Sequence, residues 1–179
     1  HNFRHAAEVL SASCPNELEE LVSALSRFQL TTNDILTKGG NESQIPKRIA
    51  SLLRPGRWFE TRIHGDLVVT VETHGNEGVG RHEERIENFL DGHKVDFVKN
   101  RVAFDLEWNS KDQTFDRDLY AFRAFHEAGI ISAAVLLTRS ESLNAVFKEL
   151  GVMTKYGAST TWMGKLLYRL RAGRNGGCP

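Results

Sequence analysis

Two short segments near the middle of the chain alternate polar and apolar residues with a period of two. They cover residues 94–99 and 102–109, and the dipeptide Asn100-Arg101 separates them. Two alternating runs joined by a two-residue polar connection are typical of a β-hairpin. If the dipeptide forms the turn, Asp96 in the first strand lies directly opposite Asp105 in the second. The chain is therefore expected to fold around a hairpin with two facing aspartates.

Residues two apart in a strand share a face of the sheet, so this hairpin has an acidic face and an apolar face. The acidic face carries Asp96, Asp105, Glu107 and Asn109, and the apolar face carries Val95, Phe97, Phe104, Leu106 and Trp108. Facing carboxylates repel each other, and the pair needs a compensating charge. A hard cation such as Mg²⁺, which binds carboxylates, water and phosphate oxygens, compensates directly.

Two alternatives to this metal site remain open on the pattern alone. Acidic residues on the solvent face of a strand are common without any metal. A shift of the hairpin register by one residue would also move the two aspartates apart along the strands. Even then, Asp105 and Glu107 would stay on the same face.

The segment DFVKNRVAFDLEW, residues 96–108, resembles the active-site hairpin of type II restriction endonucleases of the BglII and BstYI group. This group belongs to the PD-(D/E)xK nuclease superfamily. Its pattern is an aspartate at the end of one strand, an acidic residue nine positions later, and Gln or Glu after one further residue. The resemblance implies that Asp96, Asp105 and Glu107 are catalytic, and that Asp96, Asp105 and the carbonyl of Leu106 hold Mg²⁺.

The sequence departs from the wider superfamily pattern at two positions. Val95 stands where proline is common, and Glu107 stands where lysine is usual, so a lysine-based account of water activation does not transfer. A glutamate in the third position resembles the arrangement in a related restriction enzyme. A second frame, in which residues 107–109 match the E-x-K element, is possible, but the pairing with Asp96 favours Asp105.

The order of predicted elements favours a single α/β domain over residues 1–179, a restriction-endonuclease-like mixed sheet flanked by helices. The predicted helices cover 3–12, 16–28, 42–53, 114–128 and 140–150, and a central buried strand covers 130–138. Residues 57–73 are predicted as one long strand or two short strands around His64-Gly65-Asp66, with a hairpin favoured. Residues 31–41 and 74–80 are predicted as loops, and 81–90 as a helical or irregular segment. The histidines, including His93, are interpreted as polar surface residues.

The chain has 23 basic and 23 acidic residues and no formal net charge, so DNA binding requires a local basic patch. One candidate is the helix that follows Gly39-Gly40, because helix N-termini attract phosphate; its residues are Glu42, Ser43, Lys47 and Arg48. The other is the loop and basic helix near the C-terminus, with Ser159, Thr160, Thr161, Arg171 and Arg174. Ordinary solvated helices are the alternative in both places.

The cysteines and the termini add expectations about location and length. Cys14 and Cys178 lack the spacing of a zinc site or a disulfide framework, which fits a reducing cytoplasm. No run of residues is apolar and long enough for a membrane span. The ends, at His1 and Pro179, suggest a truncated sequence, and the resemblance implies a further strand after Pro179.

The resemblance also implies an activity, a partner and an assembly. A member of this group is a Mg²⁺-dependent type II endonuclease that cleaves double-stranded DNA as a homodimer, and a recognition site centred on GATC is the first expectation. Two other functions stay open: a DNA-binding protein on the same fold that has lost catalysis, and a repair nuclease that recognises DNA structure.

Overall fold

The computed structural model describes residues 1–37, 43–174 and 176–179. The elements, in chain order, are α1 Ala6–Ser13, α2 Pro15–Arg27, α3 Thr32–Leu36, α4 Gln44–Leu53, β1 Phe59–Gly75, β2 Gly78–Lys99, β3 Val102–Glu107, α5 Thr114–Glu127, β4 Ala133–Thr138, α6 Leu143–Glu149 and α7 Met163–Arg171. The strands form one sheet in the order β1-β2-β3-β4. Because β3 is antiparallel to β2 and parallel to β4, the sheet is mixed, as predicted.

The predicted hairpin is confirmed in its register. Phe97 pairs with Phe104, Val98 with Ala103 and Lys99 with Val102. Asn100 in the turn has φ 49°, a left-handed conformation that asparagine adopts more readily than most residues. All of β3 is buried, since it lies between β2 and β4.

Both faces of the hairpin are packed against helices. One face contributes Phe97 and Phe104 to a core that includes Ile49 of α4 and Leu21 of α2. The other face packs against Phe122 of α5 and its neighbours. The acidic residues of β3 therefore lie beneath a helix rather than on an open strand surface.

Val95 was predicted on the same face as Phe97, and this prediction was wrong. Val95 packs with Ala103 and Phe122 on the α5 side, whereas Phe97 belongs to the opposite core. The β1–β2 register shifts at this point, because Phe59 pairs with Val98 but Thr61 pairs with Val95. An irregularity of this kind breaks the strict alternation of side chains on which the prediction relied.

β1 and β2 continue beyond the body of the protein as a two-stranded ribbon with a turn at Asn76-Glu77. Of the two forms predicted for residues 57–73, the structure has the single long strand and not the favoured hairpin at His64-Gly65-Asp66. The predictions of a loop at 74–80 and a helical or irregular segment at 81–90 were wrong. Both faces of the ribbon are largely exposed. Burial therefore imposes no apolar alternation on the glutamate-rich half of the ribbon, and the sequence signal for a strand is weak there.

The predicted loop at 31–41 contains the short helix α3. Thr31 and Asp34 form a capping box, in which the Asp34 amide donates to Thr31 Oγ1 at 3.3 Å and the Thr31 amide donates to Asp34 Oδ2 at 2.8 Å. Gly39, Gly40 and Glu42 lie outside the described residues. Within the described ranges, no helix is long and apolar enough to cross a membrane.

Candidate active site

Two hydrogen bonds between side chain and main chain connect Asp96 with Asp105 and Leu106 of the adjacent strand. The Asp96 amide donates to Asp105 Oδ1 at 2.7 Å, and the Leu106 amide donates to Asp96 Oδ2 at 3.0 Å. The hairpin register alone would place these residues opposite each other, and the two bonds fix their carboxylates at the junction of β2 and β3. The predicted juxtaposition of two aspartates is therefore present.

Asp105 is only 4% exposed. Its burial, together with the nearby carboxylates of Asp96 and Glu107, raises the pKa of Asp105 to about 7. Burial disfavours the charged form of an acid, and like charges add to the effect. A positive charge placed beside Asp105 would remove this penalty.

Asp96 is an exposed residue in a groove between α4 and the sheet. Protein atoms around its carboxyl group nevertheless raise the pKa of Asp96, and the carboxylates of Glu107 and Glu60 raise it further. Glu60 lines the same groove and was not identified from the sequence. The acidic character of the groove thus extends beyond the three predicted residues.

Glu107 is held by contacts from several elements. Thr114 Oγ1 donates to its Oε2 at 3.0 Å, and Arg117 Nη2 lies 3.8 Å from its Oε1. Its main-chain carbonyl accepts hydrogen bonds from Thr138 Oγ1 at 2.9 Å and Thr161 Oγ1 at 3.2 Å. The side chain is buried but lines the groove that also contains Asp96. This residue therefore has a defined position beside the paired aspartates.

Two adjoining pockets of about 670 and about 410 Å³ make up this groove. Ser43 lines the larger pocket and Lys47 lines the smaller one, so both lie near Asp96. The guanidinium of Arg48 forms an ion pair with Asp34, with Nη1 2.5 Å from Oδ2. Ser43 and Lys47 thus line the groove, whereas Arg48 is connected to it only through Asp34, which lines the larger pocket.

The predicted DNA contacts near the C-terminus differ in how exposed they are. Ser159, Arg171 and Arg174 are exposed, and none of them lines the groove beside Asp96. Thr160 accepts a hydrogen bond from Arg139 at 2.6 Å. Thr161 has no exposed surface, because it packs beneath Glu107. It offers no surface to a DNA strand, and we therefore do not include it among the DNA contacts proposed below.

A further polar cluster lies on the α5 side of Asp105 and was missed from the sequence. Among the described residues, His93, Asp105 and Asp118 form the group of potential metal ligands whose ligand atoms all lie within 4.8 Å of one another. Asp96, Asp105 and Glu107 do not form a group of this kind. The interpretation of His93 as a surface residue was wrong, since its side chain is 12% exposed.

Asp118 is fully buried in α5. Its burial, with the charges of Asp105 and Glu107, raises the pKa of Asp118 to about 8, and Arg117 donates to its Oδ1 at 3.0 Å. Burial lowers the pKa of His93, as does the charge of Arg117. One sequence signal was available: Asp118 lies beside Phe115, Leu119 and Phe122 on the apolar stripe of an amphipathic helix, where an acid is unusual.

A mixed α/β sheet with paired aspartates on adjacent central strands is the arrangement of the restriction-endonuclease-like class. The chain matches the family described as restriction endonuclease BglII/BglIII over residues 1–179, its whole length. It belongs to this family and is a nuclease of the restriction endonuclease type. No curated protein sequence matches it.

Proposed function

We propose that the protein is a Mg²⁺-dependent type II endonuclease that hydrolyses phosphodiester bonds at specific sequences in double-stranded DNA. The observation that carries this proposal is that hydrogen bonds hold Asp96, which lines an open groove, against Asp105 and Leu106 of the neighbouring strand. Two carboxylates held together in this way bind a divalent cation where a phosphate can reach it. Family membership supports the nuclease activity.

The residues of the site fit a hard divalent cation. Glu60, Asp96 and Glu107 all line the groove, and carboxylate oxygens are ligands that Mg²⁺ prefers. Asp96, Asp105 and the main-chain carbonyl of Leu106 would hold the ion. When bound, it would supply a Lewis acid that polarises the phosphate and lowers the pKa of the attacking water.

The remaining side chains have separate roles in this proposal. Glu107 orients the attacking water and accepts its proton, while Thr114 and Arg117 hold the carboxylate in position. Water attacks the phosphorus directly, the bond from phosphorus to the leaving sugar oxygen breaks, and a proton from solvent neutralises that oxygen. The cysteine thiols are poor nucleophiles for this reaction, because they are buried and their pKa values are raised. The proposed DNA contacts are Ser43, Lys47, Arg48, Ser159, Thr160, Arg171 and Arg174.

The proposed assembly is a two-fold homodimer, because a symmetric duplex site is read most simply by two copies of one chain. A site centred on GATC is the first sequence to test. The buried, unpaired cysteines agree with a reducing cytoplasm as the proposed location.

Digestion of plasmid DNA tests the proposal. With Mg²⁺ the wild-type protein should give discrete fragments. EDTA should abolish this cutting, and the Asp105→Ala variant should not cut even with Mg²⁺. Glu77→Gln, at the exposed turn of the ribbon, is a matched control that removes an acid far along the chain from the site and should leave the fragments unchanged.

Other outcomes identify the alternatives. DNA binding without any cutting by the wild-type protein would indicate a binding protein that has lost catalysis. Cutting only at branches or ends would indicate a nuclease that recognises DNA structure. Cutting by Asp105→Ala at the wild-type rate would refute the assignment of this residue.

A further inference from the structure

Three buried polar atoms without hydrogen-bond partners belong to residues that lie close together on the α5 side of the hairpin. They are His93 Nε2, Asp105 Oδ2 and Asp118 Oδ2. His93 Nε2 lies 3.7 Å from Asp118 Oδ1, which is too long for a hydrogen bond. Buried polar atoms are rarely left unpaired, because the loss of hydration is not recovered. Three such atoms in one place indicate that they share a missing partner.

The size of the cluster suits a single cation. Its ligand atoms all lie within 4.8 Å of one another. An ion with three ligands at about 2.0–2.2 Å holds those ligands no more than about 4.4 Å apart, so a small movement of the side chains completes the site. This geometry is that of a preformed ligand set.

The charge of the cluster distinguishes a cation from a buried water molecule. Asp105 and Asp118 contribute two carboxylates, and a neutral imidazole contributes none. Arg117 reaches only one side of Asp118, at Oδ1, and lies 3.8 Å from Glu107. A water molecule would satisfy hydrogen bonds only, whereas a divalent cation would bind both carboxylates and stabilise their ionised forms.

We propose that His93, Asp105 and Asp118 form a second divalent-cation site that prefers a transition metal such as Mn²⁺, Co²⁺ or Zn²⁺ to Mg²⁺. Imidazole nitrogen is a ligand for transition metals, whereas Mg²⁺ favours an all-oxygen set. The proposal extends the proposed nuclease function, because Asp105 belongs to both sites. Its Oδ1 accepts from the Asp96 amide, whereas its Oδ2 has no hydrogen-bond partner and is available as a ligand of the second site.

This arrangement gives the second cation a positioning role. Asp105 would be held from the α5 side while Asp96 and the Leu106 carbonyl complete the site in the groove. The two sites should therefore be separable by substitution. His93 and Asp118 affect only the second site, Asp96 affects only the first, and Asp105 affects both.

Cobalt titration of the metal-free protein, without DNA, tests the proposal. We expect visible absorption bands from Co²⁺ bound to the wild-type protein. In His93→Gln and Asp118→Asn the affinity for Co²⁺ should fall at least about tenfold, since each loses a direct ligand and even indirect contacts change affinity by this factor. Asp96→Asn, the matched control, should retain the bands. Far-ultraviolet circular dichroism checks that each variant is folded.

A second measurement requires no variant. Addition of Mn²⁺ to the wild-type protein should broaden the imidazole proton resonances of His93 by paramagnetic relaxation, and should leave those of His74 in the ribbon sharp. The proposal is overturned if wild-type protein gives no Co²⁺ bands, if His93 stays sharp, or if only Asp96→Asn abolishes the bands.

The two proposals fail separately. Plasmid cleavage with Mg²⁺ tests the nuclease function, and Co²⁺ absorption in the absence of DNA tests the second site. A protein that binds Co²⁺ through His93 but never cuts DNA would refute the nuclease and leave the cation site standing. Cleavage with Mg²⁺ by a protein that does not bind Co²⁺ would support the nuclease and refute the second cation site.

Discussion

At the scale of single residues, Glu107 shows how a side chain can be buried and still available for chemistry. Its main-chain carbonyl accepts hydrogen bonds from the hydroxyl groups of Thr138 and Thr161, and its carboxylate accepts a third hydrogen bond from Thr114. These bonds satisfy the polar atoms that burial would otherwise leave unpaired. Glu107 nevertheless is one of the residues that line the groove beside Asp96.

We expect Glu107→Gln to lower the rate of DNA cleavage by about 10²- to 10⁴-fold, which is the usual contribution of a general base. The amide keeps the size of the side chain and can still accept from Thr114, but it cannot accept a proton from water. Single-turnover cleavage with saturating Mg²⁺ measures the effect. Thr114→Val, which removes one contact to the carboxylate, should cost less; an equal loss in both variants would indicate that Glu107 acts only through its position.

At the scale of elements, an ion pair connects α2 to the end of β2. Lys99 Nζ lies 2.5 and 2.6 Å from the carboxylate oxygens of Glu20, and Trp58 Nε1 donates to the same carboxylate at 2.8 Å. The hydrogen bond from Lys99 is the main cause that lowers the pKa of Glu20. Because Lys99 is the last residue before the turn, this pair helps to position the hairpin against the helical layer.

A double-mutant cycle with Glu20→Gln and Lys99→Met should give a coupling free energy of about 0.2–1 kcal/mol, as for other partly exposed pairs. Because the pKa of Glu20 is lowered in the folded state, the stabilisation is present above the unfolded pKa. It is lost as the pH falls through the folded value. Urea unfolding at several pH values measures the coupling. A coupling that grows as the pH falls would contradict this assignment.

At the scale of the whole molecule, the buried core and the ribbon should contribute very differently to the free energy of folding. Every residue of β3 is buried, whereas Val68 and Val79 in the ribbon are 58% and 61% exposed. Burial of apolar surface provides most of the free energy of folding. The catalytic hairpin should therefore owe its stability to the helices that cover it, with little contribution from the ribbon.

Replacement of residues 68–85 by Asn-Gly should change the free energy of unfolding by no more than about 1 kcal/mol, because the removed surface is largely exposed. Leu67 and Ile86 pair in the intact sheet, so a two-residue turn joins them without a change of register. Phe104→Ala, at a fully buried position, should cost about 3–5 kcal/mol. Urea unfolding compares the two; a larger loss from the shortened ribbon would show that it supports the core.

The sequence by itself determined the hairpin, its register and the pairing of Asp96 with Asp105. It also determined the amphipathic helix α5 and the strand β4. The prediction that β4 is central and buried was wrong, because β4 lies at the edge of the sheet and its residues 134–137 are only partly buried. The features that the sequence determined depend on periodicity within about a dozen residues and on a two-residue turn, so neighbouring residues in the chain contain the whole signal. For the same reason, the helices α1, α2 and α4 begin and end within a few residues of their predicted bounds.

Only the tertiary structure decided which residues surround Asp105. The irregular register between β1 and β2 moved Val95 to the α5 side, and the packing of α5 brought Asp118 and His93 to the same carboxylate. These contacts join segments that are distant in sequence, and no local pattern encodes the angle at which a helix crosses a sheet. The ribbon was missed for a related reason: with neither face buried, its strands had no core to impose an alternating pattern on their sequence.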